Sequence, residues 1–295
     1  MSSVVGVVGL GNMGSAVAER LGATFTVTGY DSNQERREVA QSLGIEVVAS
    51  LSDLATDLVV LSLPSPAVSA EVMAQLARKL PPGALVLETS TVNPSDLRKC
   101  AKMAAENAVR MVDAAILSGV EGMRQGKSTL LVGGAREDLR MALPVVEAMS
   151  ARYVVLGELG AGMAAKVVNN AVAHSLMVLL VEAAALARSS GVSMEAITEL
   201  LQDPEAGLLR PLTHRVQERI MSGDFEGGMP MDAARKDSSL AIALAQELGV
   251  PLFAIQASHT PYEIALSRGM GRKDYASLAL LWEEWAGVSL RRATS

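Results

Sequence analysis

The sequence predicts an α/β fold, with a doubly wound parallel sheet followed by an all-helical C-terminal domain. Three observations lead to this prediction. Short β-branched stretches alternate with helical stretches over the first half of the chain, which is typical of parallel βαβ units. A glycine-rich turn connects the first of these strands to the first helix. From Gly160 onward the strand patterns stop, and only helical patterns follow.

The alternation divides the chain into two predicted domains. Strands are predicted at residues 4–8, 25–30, 47–48, 58–63, 84–87, 110–116, 129–132 and 153–156. We therefore expect a sheet domain over residues 1–160 and a helical domain over residues 161–295. A long helix from about 161 to 189 joins the two.

Composition argues against several classes of partner. The net charge is −6 and no basic run is present, so nucleic acid and anionic membranes are poor partners. Cys100 is the only cysteine, which excludes a disulfide framework and fits a reducing cytoplasm. The apolar run 171–181 is short for a bilayer span, and the N-terminus shows no targeting pattern. The three histidines are too scattered to indicate a metal site, so we expect none.

The turn at residues 9–14 reads G-L-G-N-M-G and lies between a strand and a helix. In this context G-x-G-x-x-G is typical of a Rossmann-type dinucleotide site. Gly9 permits the tight turn, Gly11 lets a pyrophosphate approach the backbone, and Gly14 lets helix and strand pack closely. We expect these glycines, with Asn12 and Met13, to bind the cofactor. A glycine-rich turn without a ligand is the alternative.

Asp31 ends the second predicted strand, where a ribose-binding carboxylate belongs. A carboxylate accepts hydrogen bonds from the ribose 2′-OH and repels a 2′-phosphate, which favours NAD over NADP. Arg36 and Arg37 follow closely, and we expect them on the solvated face of the helix 33–43. NADP remains the alternative cofactor.

Two further strand ends are predicted to border the cofactor, because the carboxyl ends of parallel strands meet at one edge of the sheet. Leu63 and Pro64 lie at the end of the fourth predicted strand, and Ser90 and Thr91 follow the fifth. We expect Leu63, Pro64 and Thr91 to line the crevice. Turn or capping roles are equally compatible with Ser90 and Thr91.

The segment that opens the long helix carries three polar side chains in an otherwise apolar run. Lys166, Asn169 and Asn170 lie three or four positions apart, which places them on one helix face. A helix that is apolar nearly all round is predicted to be buried, and a buried ammonium needs a partner or a role. The alternative is a lysine at the helix mouth that reaches water.

Four blocks together resemble the β-hydroxyacid dehydrogenase family, the relatives of 3-hydroxyisobutyrate dehydrogenase. They are the glycine loop 9–14, the loop after Asp113, the segment 160–170, which matches G-x-G-x-x-x-K-x-x-N-N, and the segment 236–241, which matches K-D-x-x-L-A. The resemblance implies that Lys166 is the catalytic acid/base and that Asn170 binds substrate beside it. It also implies that Lys236 faces the cofactor, although a surface pair with Asp237 explains that residue equally well. A homodimer or homotetramer is implied as well.

One block departs from the family pattern, D-A-P-V-S-G-G. Here the segment 113–119 reads D-A-A-I-L-S-G, so Leu117 occupies the serine position and Ser118 replaces the first glycine. Either the loop shifts so that Ser118 binds the substrate carboxylate, or the substrate preference has changed. The backbone N–H groups around Ser118 and Gly119 could still bind a substrate oxygen.

These features favour an NAD(P)-dependent oxidoreductase that interconverts a small 3-hydroxy acid, or a related alcohol, and its carbonyl compound. Hydride transfer to a carbonyl leaves an alkoxide that needs a proton, and a nearby ammonium can donate it. An imine reductase of similar fold is the second hypothesis, although such enzymes typically lack this lysine. A non-catalytic NAD(H)-binding regulator is the third, and only Leu117 supports it.

Overall fold

A computed structural model describes residues 4–54 and 56–292. The chain forms two compact units, the first ending at Ala171 and the second beginning at Val172. The division lies inside one long helix, α7 (Ala161–Ser189).

The first unit contains an eight-stranded sheet with the order β3-β2-β1-β4-β5-β6-β7-β8. The strands are β1 (Val4–Val8), β2 (Thr26–Tyr30), β3 (Glu46–Val47), β4 (Leu58–Leu61), β5 (Leu85–Glu88), β6 (Arg110–Leu117), β7 (Thr129–Gly133) and β8 (Arg152–Gly157). The strand order reverses at β1, so the glycine loop that follows β1 opens at the topological switch point.

One pairing departs from the predicted parallel sheet. β6 and β7 are antiparallel, whereas the other described pairs are parallel. The connection between them holds only the short helix α5 (Val120–Arg124), and a parallel crossover needs a longer connection with a packed helix. The antiparallel pair places Leu117 opposite Thr129.

Two apolar layers cover the sheet. The helices of the first unit are α1 (Asn12–Gly22), α2 (Gln34–Ser42), α3 (Pro66–Leu76), α4 (Pro94–Ala105), α5 and α6 (Arg136–Met149). Buried residues of α1 and α6 pack on one face of the sheet, and those of α3 and α4 pack on the other. Successive strand residues alternate between the two layers, as Val7 and Val8 do, which is the pattern of a doubly wound sheet.

The second unit is helical, as predicted. It contains most of α7, then α8 (Met194–Gln202), a π-helix (Pro211–Ile220), α9 (Met231–Leu248), α10 (Ala254–Ser267), a 3₁₀ turn (Tyr275–Leu278) and α11 (Ala279–Ala286). Glu182 of α7 accepts hydrogen bonds from the backbone N–H groups of Phe253, Ala254 and Ile255. Its carboxylate thereby caps the start of α10.

The exposure of α7 contradicts the prediction that this helix is buried. Val168, Val172 and Met177 are 63%, 62% and 60% exposed. This helix is also long and apolar enough to cross a bilayer by length and composition, with a mean hydropathy of 1.6 in an 18-residue window, whereas the run 171–181 alone suggested otherwise. Core helices of soluble proteins pass the same test. An apolar sequence pattern shows that a helix is hydrophobic. Only the tertiary packing determines whether another surface covers that helix.

Candidate active site

A cavity of about 550 Å³ opens at the switch point of the sheet. It brings together eight of the residues predicted to bind the cofactor: Gly9, Gly11, Asn12, Met13, Gly14, Asp31, Leu63 and Pro64. Sequence reasoning did not place in the crevice eight further residues that line it: Val8, Tyr30, Ser32, Asn33, Arg36, Ser62, Val68 and Val72. Val68 and Val72 are one helical turn apart on α3, and this spacing after Pro64 was the available signal.

The three loop glycines are required for different geometric reasons. Gly9 has a φ of +92°, and a Cβ there would lie 2.2 Å from the carbonyl oxygen of Ser62. A Cβ at Gly14 would lie 1.8 Å from the carbonyl oxygen of Gly9. At Gly11 a Cβ would meet no atom within 4 Å, so the loop is open there. This cradle at the start of α1 fits a pyrophosphate group.

Asp31 also stabilises the glycine loop. Its Oδ2 accepts a hydrogen bond of 2.7 Å from the Leu10 N–H, and its Oδ1 accepts one of 2.8 Å from the Asn33 N–H. A carboxylate has about four lone-pair sites, so acceptor capacity remains for a ribose hydroxyl. The carboxylate therefore connects the loop to the end of β2 while bordering the cavity.

The two arginines after Asp31 have different surroundings. Arg37 Nη1 donates to the Asp31 carbonyl oxygen at 2.6 Å. Arg36 is exposed, as predicted, but it also lines the cavity and donates to Asn12 Oδ1 at 3.3 Å. A cationic side chain therefore borders the ribose end, which the helix-face argument did not anticipate.

A chain of hydrogen bonds lies behind the Leu63 wall of the cavity. The Leu63 N–H donates to Ser90 Oγ at 2.7 Å, and the Ser90 N–H donates to Glu88 Oε1 at 2.9 Å. Glu88 is 1% exposed, and burial raises its pKa to about 7, although hydrogen bonding by Ser90 opposes this shift. Thr91 is exposed and is not among the lining residues of this cavity.

Lys166 lies at the end of β6. Its Nζ donates to the carbonyl oxygen of Ile116 at 2.7 Å, and the side chain is half-buried. Burial lowers the pKa of Lys166. The amine therefore has a defined position next to Leu117 and at the carboxyl edge of the sheet.

Asp113 fixes the start of the helix that carries Lys166. It is fully buried, and its two carboxylate oxygens accept hydrogen bonds of 2.7 Å from the N–H groups of Gly160 and Met163. Gly162 is required for close packing, because a Cβ there would lie 2.3 Å from the Leu131 carbonyl oxygen. β6 thus holds the helix at Asp113 and the amine at Ile116.

In the loop that departs from the family pattern, Leu117 makes apolar contacts and Ser118 makes a polar contact. Leu117 packs against the apolar layer that also contains Met163. The Ser118 and Ser128 hydroxyls are hydrogen-bonded at 2.6 Å, and Ser128 is fully buried. Gly119 is exposed just before α5. The Ser118 side chain is therefore already engaged inside the protein.

The remaining predicted residues lie further along the chain. Asn170 is half-buried on α7, one turn beyond Lys166. Lys236 belongs to the second unit, where its Nζ lies 3.0 Å from Asp237 Oδ1 and its side chain is 66% exposed. Among residues 4–54 and 56–292, no three His, Cys, Asp or Glu side chains are grouped to hold a metal ion.

Known proteins resemble both halves of the chain. Residues 4–157 match the family described as the NAD binding domain of 6-phosphogluconate dehydrogenase. Residues 160–282 match the family described as NAD-binding of NADP-dependent 3-hydroxyisobutyrate dehydrogenase.

Individual relatives cover nearly the whole chain. The chain is 30% identical over 292 residues to 2-(hydroxymethyl)glutarate dehydrogenase of Eubacterium barkeri, with 97% of each protein covered. It is 30% identical to the NAD-dependent L-serine dehydrogenase of Pseudomonas aeruginosa, covering 95% of this chain and 98% of that protein. A solved imine reductase from Pseudomonas sp. has the same fold, with a TM-score of 0.85 at 23% identity over 96% of this chain and 100% of that one.

Proposed function

Because this chain belongs to the β-hydroxyacid dehydrogenase family, among the relatives of 3-hydroxyisobutyrate dehydrogenase, and is an NAD(P)-dependent oxidoreductase acting on CH–OH groups, we propose that its substrate is a small 3-hydroxy acid or a related alcohol. The names of two relatives support this class. 2-(Hydroxymethyl)glutarate and L-serine both carry a CH₂OH group on the carbon that bears a carboxylate.

The observation that carries the proposal is the hydrogen bond from Lys166 Nζ to the Ile116 carbonyl oxygen. β1, β4, β5 and β6 are parallel neighbours, so the glycine loop and Ile116 lie at the same edge of the sheet. Ligands of doubly wound sheets bind outside this edge. An amine held there is available for proton transfer to a substrate oxygen beside the cofactor.

Lys166 is proposed to move the proton that accompanies hydride transfer. When bound, the nicotinamide ring accepts or donates the hydride. The neutral amine accepts the hydroxyl proton during alcohol oxidation, and the ammonium donates a proton to the alkoxide during reduction. The lowered pKa of Lys166 increases the fraction of neutral amine near neutral pH. Asn170, one turn away, is proposed to hydrogen-bond the substrate.

The loop at residues 117–119, which departs from the family pattern, is proposed to change the substrate preference. Leu117 presents an apolar side chain where the family pattern has a serine, and the Ser118 hydroxyl is engaged by Ser128. Leucine has no donor for a carboxylate and the Ser118 hydroxyl already bonds to Ser128, so we favour an altered preference over a shifted loop. The backbone N–H groups around Gly119 are then the polar groups of this loop that remain for a substrate oxygen.

Both cofactor forms are compatible with the cavity. Asp31 favours a ribose 2′-OH and therefore NAD, whereas Arg36 on the same wall can pair with a 2′-phosphate. Lys236 is retained in the proposal as a cofactor-side residue on the basis of the family motif alone. We expect NAD to be preferred, with NADP accepted less well.

A cofactor-reduction screen tests the proposal. The purified protein would be assayed with NAD⁺ and NADP⁺ against 3-hydroxy acids, L-serine and simple alcohols, and with NADH and NADPH against cyclic imines. We expect turnover on oxygen substrates. Turnover on imines alone would instead assign an imine reductase, and dinucleotide binding without turnover on either class would indicate a regulatory protein.

The exposed surface of α7 supports a homo-oligomer. Val172, Met177 and Val181 are each more than half exposed, and contiguous apolar patches on soluble proteins mark interaction sites. We propose that a second copy covers them in a cytoplasmic homodimer or homotetramer, because Glu182 of the same helix is buried against the start of α10 rather than facing lipid. Light scattering of the detergent-free protein would test this, and a monomer or an insoluble protein would contradict it.

A further inference from the structure

Glu88 is a buried carboxylate that the proposed chemistry does not use. It ends β5, is 1% exposed, and lies opposite Asp113 in the β5–β6 register. A buried carboxylate is unfavourable unless hydrogen bonds compensate for its lost hydration. The burial of Glu88 directly after the apolar residues of β5 therefore suggests that this carboxylate has a function.

The hydrogen bonds of Glu88 lead to the cofactor cavity. Ser90 Oγ accepts the Leu63 N–H, so the hydroxyl proton of Ser90 is available to a different acceptor. The Glu88 carboxylate accepts the Ser90 N–H at 2.9 Å, and the Ser90 hydroxyl also lowers the pKa of that carboxylate. A continuous chain thus runs from Glu88 through Ser90 to the Leu63 backbone.

The Leu63 backbone is part of the cavity wall. Leu63 and Pro64 line the cavity, and Ser65 then caps α3 by accepting the Val68 N–H. Val68 and Val72 of α3 continue the same wall. The position of Leu63 therefore sets the position of the whole wall opposite the glycine loop.

We propose that Glu88 is a positioning residue for the cofactor: acting through Ser90, its carboxylate holds the Leu63 and Pro64 wall in the conformation that binds a nicotinamide dinucleotide. The ionised carboxylate accepts hydrogen bonds from Ser90 more strongly than the protonated acid does. This inference rests on the proposed use of the cavity by the dinucleotide, and it is independent of the substrate and of Lys166.

The groups that face Glu88 make its charge sensitive to pH. They are Asp113 on β6, the Cys100 thiol on α4, and the hydroxyls of Ser69 on α3 and Ser90. Burial raises the pKa of Glu88 to about 7, and Asp113 raises it further, while Ser90 opposes the shift. Asp113 is itself held by two backbone N–H groups. Protonation of Glu88 below neutral pH is expected to weaken the hold on Leu63 and thus dinucleotide binding.

Fluorescence titration of the full-length protein with NADH and NADPH tests the proposal at pH 6 and pH 8.5. Glu88→Gln replaces the charged acceptor of the Ser90 N–H with a neutral amide, and Ser90→Ala removes the hydroxyl that accepts the Leu63 N–H. At pH 8.5 we expect each variant to raise the NADH Kd about tenfold, the size expected for losing a hydrogen bond to a charged group. The wild-type Kd should rise toward the variant value at pH 6, whereas the variants should change little between the two pH values.

Thr89→Val is the matched control. Thr89 and Ser90 are both 6% exposed, and Thr89 Oγ1 donates to the Leu61 carbonyl oxygen at 2.5 Å; neither Thr89 nor Leu61 lines the cavity. The control should bind NADH as the wild type does.

Two results would overturn the inference: variants of Glu88 and Ser90 that bind NADH like the wild type, or an equal loss in the Thr89 control. If Glu88→Gln does not fold, Ser90→Ala decides alone. A wild-type protein that binds neither dinucleotide would instead refute the proposed use of the cavity.

Discussion

In the first unit, burial raises the pKa of both Glu88 and Asp113, whereas in the second unit the pKa of Glu182 is lowered. Burial alone would raise the pKa of Glu182 as well, but three backbone N–H groups at the start of α10 outweigh it. The difference lies in the balance of hydrogen-bond donors against burial, not in the residue type.

This difference separates two uses of charge. A carboxylate whose pKa is lowered stabilises the fold in its ionised form, so Glu182 acts as a structural cap. A carboxylate whose pKa is raised makes the folded state less stable at neutral pH, and such groups concentrate at functional sites. Glu88 and Asp113 both lie at the edge of the sheet that borders the cavity or the Lys166 helix.

Lys166→Ala is expected to have the largest effect, and it acts on activity alone. Loss of the acid/base group should lower kcat by about 10²–10⁴-fold, the usual range for general acid–base catalysis. NADH affinity and thermal stability should change little, because alanine preserves the helix. Steady-state kinetics, NADH titration and thermal melts would measure the three quantities.

Lys99→Ala is the control for this variant, since Lys99 is an exposed lysine that pairs with Asp96 at 2.9 Å. Rates near the wild type in Lys166→Ala would remove the proton-transfer role. Because the pKa of Lys166 is lowered, kcat/KM for alcohol oxidation should rise with pH and level off below the range of an ordinary lysine.

Glu88→Gln should change stability in a pH-dependent way. A raised folded-state pKa means that the folded protein retains the proton between the usual value of 4.5 and about 7. Its stabilising contribution is present below pH 4.5 and is lost as pH rises through 7. Relative to the wild type, the variant should therefore gain on the order of 3 kcal/mol in unfolding free energy by pH 8, and almost nothing near pH 4.

Urea unfolding at several pH values would measure this difference. A difference between Glu88→Gln and the wild type that does not depend on pH would contradict the raised pKa. It would also remove the difference in pKa shift between Glu88 of the first unit and Glu182 of the second.

Glu182→Ala is expected to have the opposite pH dependence. The variant leaves the first N–H groups of α10 without their carboxylate acceptor, which should lower the unfolding free energy by about 2 kcal/mol at neutral pH. A lowered folded-state pKa gives a contribution that is present above the unfolded value and lost as pH falls. The deficit should therefore shrink in acid.

Glu195→Ala on α8 serves as the comparison for Glu182, because Glu195 is exposed in the same unit. We expect it to change stability by less than about 0.5 kcal/mol. An equal loss of unfolding free energy in both variants would mean that the Glu182 cap of α10 stabilises the fold no more than an exposed carboxylate does.

Leu117→Ser is expected to have the smallest effect and tests the altered pocket. A hydroxyl at this position can hydrogen-bond a substrate carboxylate, so kcat/KM for short 3-hydroxy acids should rise by up to about tenfold. Assays on 3-hydroxy acids and on uncharged alcohols, run in parallel, would reveal the change in preference. An unchanged or lower preference would indicate that the loop, and not Leu117, determines the substrate.

Much of the fold could be predicted because its signals are local. The glycine loop, the βα alternation and the end of strand patterns at Gly160 each depend on neighbouring residues, and the family and fold class they predicted are confirmed. The antiparallel β6–β7 pair was not predicted, because strand direction depends on how the connection packs. The exposure of α7 was also predicted wrongly, since an apolar pattern does not reveal which surface covers it.

The sequence by itself determined the glycine cradle, the position of Asp31 and the lysine at 166, since each follows from residue type and spacing. Only the tertiary structure decided that Lys166 meets Ile116 and that Leu63 meets Ser90, because these contacts join residues 50 and 27 positions apart. Such contacts form when parallel strands bring their carboxyl ends to one edge, and no local pattern encodes which side chains then meet.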